Sequence, residues 1–248
     1  MGPLQGNCPH AAWGSLTGPD NYLPAVVKGC SSGKLHWDPA MSIAKVLEKT
    51  PAFRFNEPNQ GGHITLERCI RQRHSVREFR ERALADGELG QLLWAAQGMT
   101  SDDGRRAVPS AGALYPLELY AVCGKVSGVP GGVYRYDPRQ HALLLAASGD
   151  QRERLAQAAV SQDWIASAPA VICIAAVFER TTVKYGSRGR GYVYMEAGHA
   201  AEGLMLQAVA LGLATTMVGA FQDGEVKRVL QLASQETPLC LLPVGASR

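Results

Sequence analysis

The sequence predicts an α+β fold, and three features carry that expectation. Strand-like segments cluster along the chain instead of alternating strictly with helices, which favours α+β over a doubly wound parallel sheet. One stretch, about residues 191–213, has helical spacing with apolar side chains on nearly every side, the pattern of a helix buried all round. Apolar residues make up 46% of the 248 residues and charged ones only 19%, below the roughly 25% usual in soluble chains. Such a chain buries a large core, and the low charge share points to surface covered by another subunit or a cofactor.

Taken in order, residues 1–64 read as a Pro/Gly-rich extension whose one clear helical piece is Ser42–Lys49. Its apolar residues, among them Trp13, Tyr22, Trp37 and Phe53, are too scattered for a core of their own, so it is expected to lie across the main domain. The domain proper is expected over residues 65–248. Thr65 caps a helix that opens Leu66-Glu67-Arg68. Asp86–Met99 places Leu89, Leu92, Leu93 and Ala96 on one helix face. Leu117–Cys123 and Val133–Tyr136 read as strands, the second after a Pro130-Gly131-Gly132 turn. Asp150–Gln162 is an amphipathic helix, and the apolar run Ala170–Phe178 suits a buried strand. The long helix follows over Gly191–Leu213, at the molecule's centre and a subunit interface. Strand Thr215–Gly219, helix Asp223–Leu232 and strand Leu239–Val244 complete the domain.

A net charge of +3 is too small to mark a nucleic-acid or membrane-surface binder. The six cysteines (Cys8, Cys30, Cys69, Cys123, Cys173 and Cys240) form no C-x-x-C pair, so no metal site is expected. The amino terminus lacks the basic-then-apolar layout of a signal peptide, and no apolar run is long enough to span a membrane. A cytoplasmic protein with reduced thiols is the expectation.

Three segments carry chemistry. Five arginines (Arg71, Arg73, Arg77, Arg80 and Arg82) fall within twelve residues around His74 and Ser75. If the stretch is extended, positions 71, 73 and 77 share one side and grip a phosphate monoester, although the same spacing also suits a solvated basic face. Small residues between two prolines, Pro109-Ser110-Ala111-Gly112-Ala113-Leu114-Tyr115-Pro116, suit close backbone approach to a flat or anionic ligand, or a plain turn. Lys184-Tyr185-Gly186-Ser187-Arg188-Gly189-Arg190-Gly191 offers two proton-transfer groups in a turned segment, with Arg188 and Arg190 available to lower the lysine's proton affinity. It reads equally as a basic surface loop. No G-x-G-x-x-G or Walker-type loop is present.

In this order RHSVREF, LLWAAQG, PSAGALYPLELY, GVYRYDP, KYGSRGRGYVYMEAGHAAEGLMLQAVALGL, VGAFQD and PLCLLPVG resemble the nitroreductase-like FMN flavoproteins over about residues 65–248. Within that family they resemble the SagB-type azoline-oxidase dehydrogenases of thiazole- and oxazole-containing peptides. The resemblance implies an α+β sandwich with a mostly antiparallel sheet flanked by helices. It also implies an intertwined homodimer built on the long helix, with FMN between subunits. Arg73, Ser75 and Arg77, with His74, then hold the FMN phosphate and ribityl chain. Pro109, Ser110, Ala111 and Gly112 face the ring from the second subunit, and Gly219 and Ala220 lie against it from its own side. Arg248 is placed to reach the phosphate, and Lys184 and Tyr185 are the catalytic pair that assists proton removal.

Three functions follow from the resemblance. The first is FMN-dependent hydride transfer with a small organic or peptide azoline-type substrate. The second is a nitro or quinone reductase on the same fold, with NAD(P)H as reductant and Lys184-Tyr185 structural. The third is a flavin-binding scaffold in a peptide-modifying complex, docked through the amino-terminal extension. Neither nucleic acid nor membrane is an expected partner.

Overall fold

Ala170–Ala176 is the spine of the molecule, and all seven of its residues are buried. A strand apolar on both faces needs cover on both, and the rest of the chain supplies it. The computed structural model describes residues 50–247, so the expected helix at Ser42–Lys49 and Arg248 lie outside the described residues.

Seven strands form one sheet: β1 (Phe53–Arg54), β2 (Leu117–Cys123), β3 (Gly132–Asp137), β4 (Ala142–Ser148), β5 (Ala170–Ala176), β6 (Leu213–Thr215) and β7 (Thr237–Ala246). Their order is β1-β4-β3-β2-β5-β7-β6, and every pairing between neighbours is antiparallel. Side-chain alternation sorts the core into two layers. Leu119, Ile172, Ile174 and Leu242 face one side. Tyr120, Val171, Cys173 and Leu241 face the other. The architecture is α+β, as the sequence predicts.

Helices cover both faces. On the first lie α2 (Asp86–Gln97) and the long α6 (Arg188–Ala210); Leu89, Leu92, Leu93, Val193, Ala200 and Leu204 are buried there. The two helices approach closely because α6 is lined with small residues. A Cβ at Gly203 would stand 3.1 Å from the Ala95 carbonyl oxygen. On the second face lie α3 (Arg152–Ala158), α4 (Trp164–Ser167) and α7 (Asp223–Leu230), burying Leu155, Ile165, Val226 and Leu230. The remaining helices are α1 (Leu66–Gln72), whose Thr65 side chain accepts from the Arg68 N–H, and α5 (Glu179–Tyr185).

Several expectations are corrected. Helix α3 stops at Ala158, short of Gln162, because Val160 and Ser161 adopt positive φ. The strand expected over Thr215–Gly219 is β6, Leu213–Thr215; beyond it only Val218 re-pairs, with Leu241. Lys184 and Tyr185 end a helix instead of lying in a loop, and Gly186, at φ 58°, turns the chain directly into α6. Arg71 lies inside α1, so it does not share an extended face with Arg73 and Arg77. Within one chain α6 is buried along one side only. Tyr194 and Met195 on its outer side are 53% and 54% exposed.

Candidate functional site

The expected site residues gather in two groups on different parts of α6. The first group forms at its amino-terminal half. Ser110 closes a tight turn: its Oγ accepts from the Tyr115 N–H (2.9 Å), and its carbonyl accepts from the Ala113 N–H (3.0 Å). Gly112, Ala113 and Tyr115 all adopt positive φ, a conformation disfavoured for residues with a Cβ. What the strain secures is proximity. A Cβ at Gly112 would stand 2.8 Å from Tyr185 Oη and 3.0 Å from Lys184 Nζ. The glycine therefore exists where the turn meets the Lys-Tyr pair. Pro109 and Gly112 are exposed, whereas Ser110 and Ala111 are half-buried.

Lys184 is exposed and Tyr185 half-buried, the Lys184 ammonium lying 5.4 Å from the Tyr185 ring centre. The Tyr185 ring is set edge-on to Tyr192 of α6. Arg188 and Arg190, the expected neighbours of Lys184, lie over Tyr192 and Phe178 respectively.

Behind the turn sits Glu196, a carboxyl on the buried side of α6 and only 3% exposed. Burial pushes it up to about 7, partly offset by the Ser110 hydroxyl and the Arg106 guanidinium. Its Oε1 has no hydrogen-bond partner, and Gln97 lies close without closing a bond to it. Sequence reasoning passed over this residue. The signal was available, since a lone carboxylate amid Ala, Val and Leu on an apolar helix is out of place unless it serves something.

The second group forms at the other end of α6. Arg73 caps α1 and meets Glu202 of α6 at 3.5 Å, with both side chains partly exposed. His74 Nδ1 lies 2.8 Å from the Gln72 carbonyl oxygen, and Ser75 is exposed. The Val76 N–H donates to the Thr215 carbonyl, joining this segment to β6. Arg77 lies over the Trp164 ring, at 5.9 Å. Two residues before Trp164, Gln162 Nε2 donates to the Ala220 carbonyl (3.1 Å), so the arginine segment and Gly219-Ala220 flank a common element. Gly219 is open, with nothing within 4 Å of where a Cβ would stand.

Beside the arginine segment runs a groove of about 200 Å³ lined by Arg73, His74, Val76, Met205, Thr215 and Ser247, among others. Thr215 Oγ1 is buried there without a hydrogen-bond partner. An orphan hydroxyl costs stability unless something else satisfies it, and here it lines the same groove as a guanidinium.

The structure thus brings Ser110 and Gly112 to Lys184 and Tyr185, and Arg73–Arg77 to Thr215–Ala220. It does not bring the two groups together. Glu196, beside Ser110, and Glu202, beside Arg73, are separated by about 9 Å along the α6 axis and about 120° around it.

Fold and site together define the class: residues 70–246 match the nitroreductase family, and the chain belongs to it as an oxidoreductase. It is 47% identical over 182 residues to MJ1384 of Methanocaldococcus jannaschii, whose name places it among the nitroreductases. That match covers 73% of this chain and 91% of the relative. Two further relatives are processing proteins by name. The trifolitoxin-processing protein TfxB of Rhizobium leguminosarum is 30% identical, over 54% of this chain and 37% of its own length. The microcin B17-processing protein McbC of Escherichia coli is 29% identical, over 52% and 49%. The chain therefore spans half or less of those two. Among solved structures, a nitroreductase-type protein of Ralstonia eutropha superposes with a TM-score of 0.70 at 25% identity, covering 87% of this chain and 96% of that one.

Proposed function

We propose that residues 65–248 form an FMN-dependent oxidoreductase of the SagB type, acting on an azoline-type bond in a small organic or peptide substrate, with residues 1–64 as an extension. The observation that carries this reading is the convergence of Lys184 Nζ and Tyr185 Oη on Gly112. In a nitro or quinone reductase the same pair would be structural only. The relationship to TfxB and McbC supports a peptide substrate.

The residues present fit FMN. Arg73, Ser75 and Arg77, with His74, offer guanidinium and hydroxyl donors for a phosphate, and the unsatisfied Thr215 Oγ1 lies in the groove beside them. Arg248 is proposed to add a further cation. Gly219 and Ala220 leave an open surface for a ring, and Pro109, Ser110, Ala111 and Gly112 would face it from the opposite side. When bound, FMN would supply hydride chemistry and the protein placement and electrostatics. Lys184 and Tyr185 remove or return the substrate proton, and Gly112 keeps the space in front of them free. Because the two groups lie on different sides of α6, we infer that a second copy of the chain completes each site.

A second reading has its own support in the likeness to MJ1384: an NAD(P)H-dependent nitro or quinone reductase on the same fold. Lys184→Ala and Tyr185→Phe separate the two. The azoline reading predicts variants that keep FMN but oxidise a peptidyl azoline at least a hundredfold more slowly. Full azoline turnover in both variants contradicts it. NAD(P)H-driven nitroarene reduction at wild-type rate in both, with no azoline oxidation by the parent enzyme, favours the reductase.

A further inference from the structure

On the other side of the Ser110–Tyr115 turn lies a cavity of about 270 Å³ that the redox reading does not use. Four arginines line it, Arg106, Arg135, Arg139 and Arg180, with Gln97, Glu118 and Asp137. Its charges are not mutually satisfied. Glu118 takes two of the arginines, Arg135 at 2.8 Å and Arg180 at 2.6 Å. Asp137 is occupied by its own turn, accepting from the Arg139 and Gln140 N–H groups and from Gln140 Nε2. Arg106 and Arg139 are left without an ion pair among the described residues.

Arg106 is the more telling of the two. It is half-buried, lies 4.5 Å from the centre of the Tyr115 ring and donates to Gln97 Oε1 at 2.8 Å. It has carboxylates, Glu118 and Glu196, only beyond ion-pair range, so a cation drawn partly out of water here is stabilised when an anion joins it. Gln97 is only 1% exposed, and its Nε2 lies toward Glu196 without closing a bond. Two kinds of observation therefore converge: guanidiniums without an ion pair, and a cavity large enough for one small group.

We propose that this cavity is an oxyanion-binding subsite, taking a single carboxylate or phosphate group between Arg106 and Arg139, with Gln97 holding Arg106 in place. Glu118 serves by fixing Arg135 and Arg180 in place, so that the cavity keeps its shape when empty. The subsite shares the Ser110–Tyr115 turn with Lys184 and Tyr185, because Arg180 Nη1 donates to the Tyr115 carbonyl at 2.9 Å. An anionic handle bound here would lie one turn of chain away from that pair. The proposal does not depend on the redox reading.

Calorimetric titration of the full chain at low ionic strength, with inorganic phosphate and separately with succinate, tests it against a chloride control. An Arg73→Gln/Arg77→Gln background removes the guanidiniums of the other anion site. The expected result is saturable binding of at least one anion in that background, weakened at least tenfold by adding Arg139→Gln or Arg106→Gln. The tighter of the two anions identifies the group as phosphate or carboxylate. Arg139 sits in an exposed turn, so its replacement remains informative even if Arg106→Gln does not fold. No saturable binding beyond chloride, or binding unchanged by Arg139→Gln and by any folded Arg106→Gln, would overturn the proposal.

Discussion

Two residues carry most of the physical argument. Gly112 combines a left-handed backbone with a contact that a Cβ could take only by displacing Tyr185 Oη and Lys184 Nζ. Gly112→Ala should cost about 1 kcal/mol from the backbone alone and push Lys184 and Tyr185 aside; a thermal melt and a turnover assay both at wild-type values would contradict this. Glu196 is perturbed in the opposite sense from a salt-bridged carboxylate. Its folded value of about 7 lies above the ordinary 4.5, so the native state binds the extra proton and stability falls as pH rises between those values. Wild-type protein should lose up to about 3 kcal/mol through this group from pH 4.5 to pH 8, at ~1.4 kcal/mol per pH unit. Glu196→Gln should lack that loss, which urea denaturation at pH 5 and pH 8 measures; identical pH dependence in both proteins would exclude the effect. The residue types of the Lys-Tyr pair, the small turn and the arginine segment were legible in the sequence because each belongs to a contiguous motif. Glu196, Arg106 and Arg180 were not, because their significance arises only where distant segments meet.

At the scale of elements, long periodic segments were read well and short ones poorly. Leu117–Cys123 is found as predicted, and Asp86–Gln97 differs only at its end, since seven or more residues of consistent burial leave a clear pattern. Helix α5 was hidden because the sequence from Lys184 to Gly191 is rich in glycine and arginine, yet only Gly186 is needed to break it. Strands β1, at the sheet edge, and β4, next to it, were missed for a different reason. They are short or half-exposed, and their identity comes from the pairing of Phe53 with Leu143. Strand β5 anchors everything else. Ile174 is fully buried and faces the α2–α6 layer, so Ile174→Ala should cost about 2–5 kcal/mol. A denaturation midpoint within error of wild type would mean that the strand is not the core it is taken for.

For the whole molecule, the sequence made the α+β class and the family readable, while the division of the site into halves needed coordinates. Apolar residues left uncovered on one chain agree with a missing neighbour: Met195 on α6 and Leu66 and Ile70 on α1 are all more than half exposed. A groove of about 830 Å³, lined partly by Leu66, Trp94, Leu206 and Leu211, opens on the same side of the chain as the carboxy-terminal half of α6. If each flavin is held by Arg73–Arg77 of one copy and the Ser110–Gly112 turn of another, two chains defective in different halves should rescue each other. An Arg73→Ala/Arg77→Ala chain and an Ala111→Glu chain should each fail to retain FMN alone. Mixed after co-refolding, random pairing would make half the dimers mixed, each with one intact site, so occupancy read by flavin absorbance should recover to about a quarter of wild type. Flavin bound by a wild-type monomer, or a mixture that dimerises yet stays colourless, would contradict the shared site.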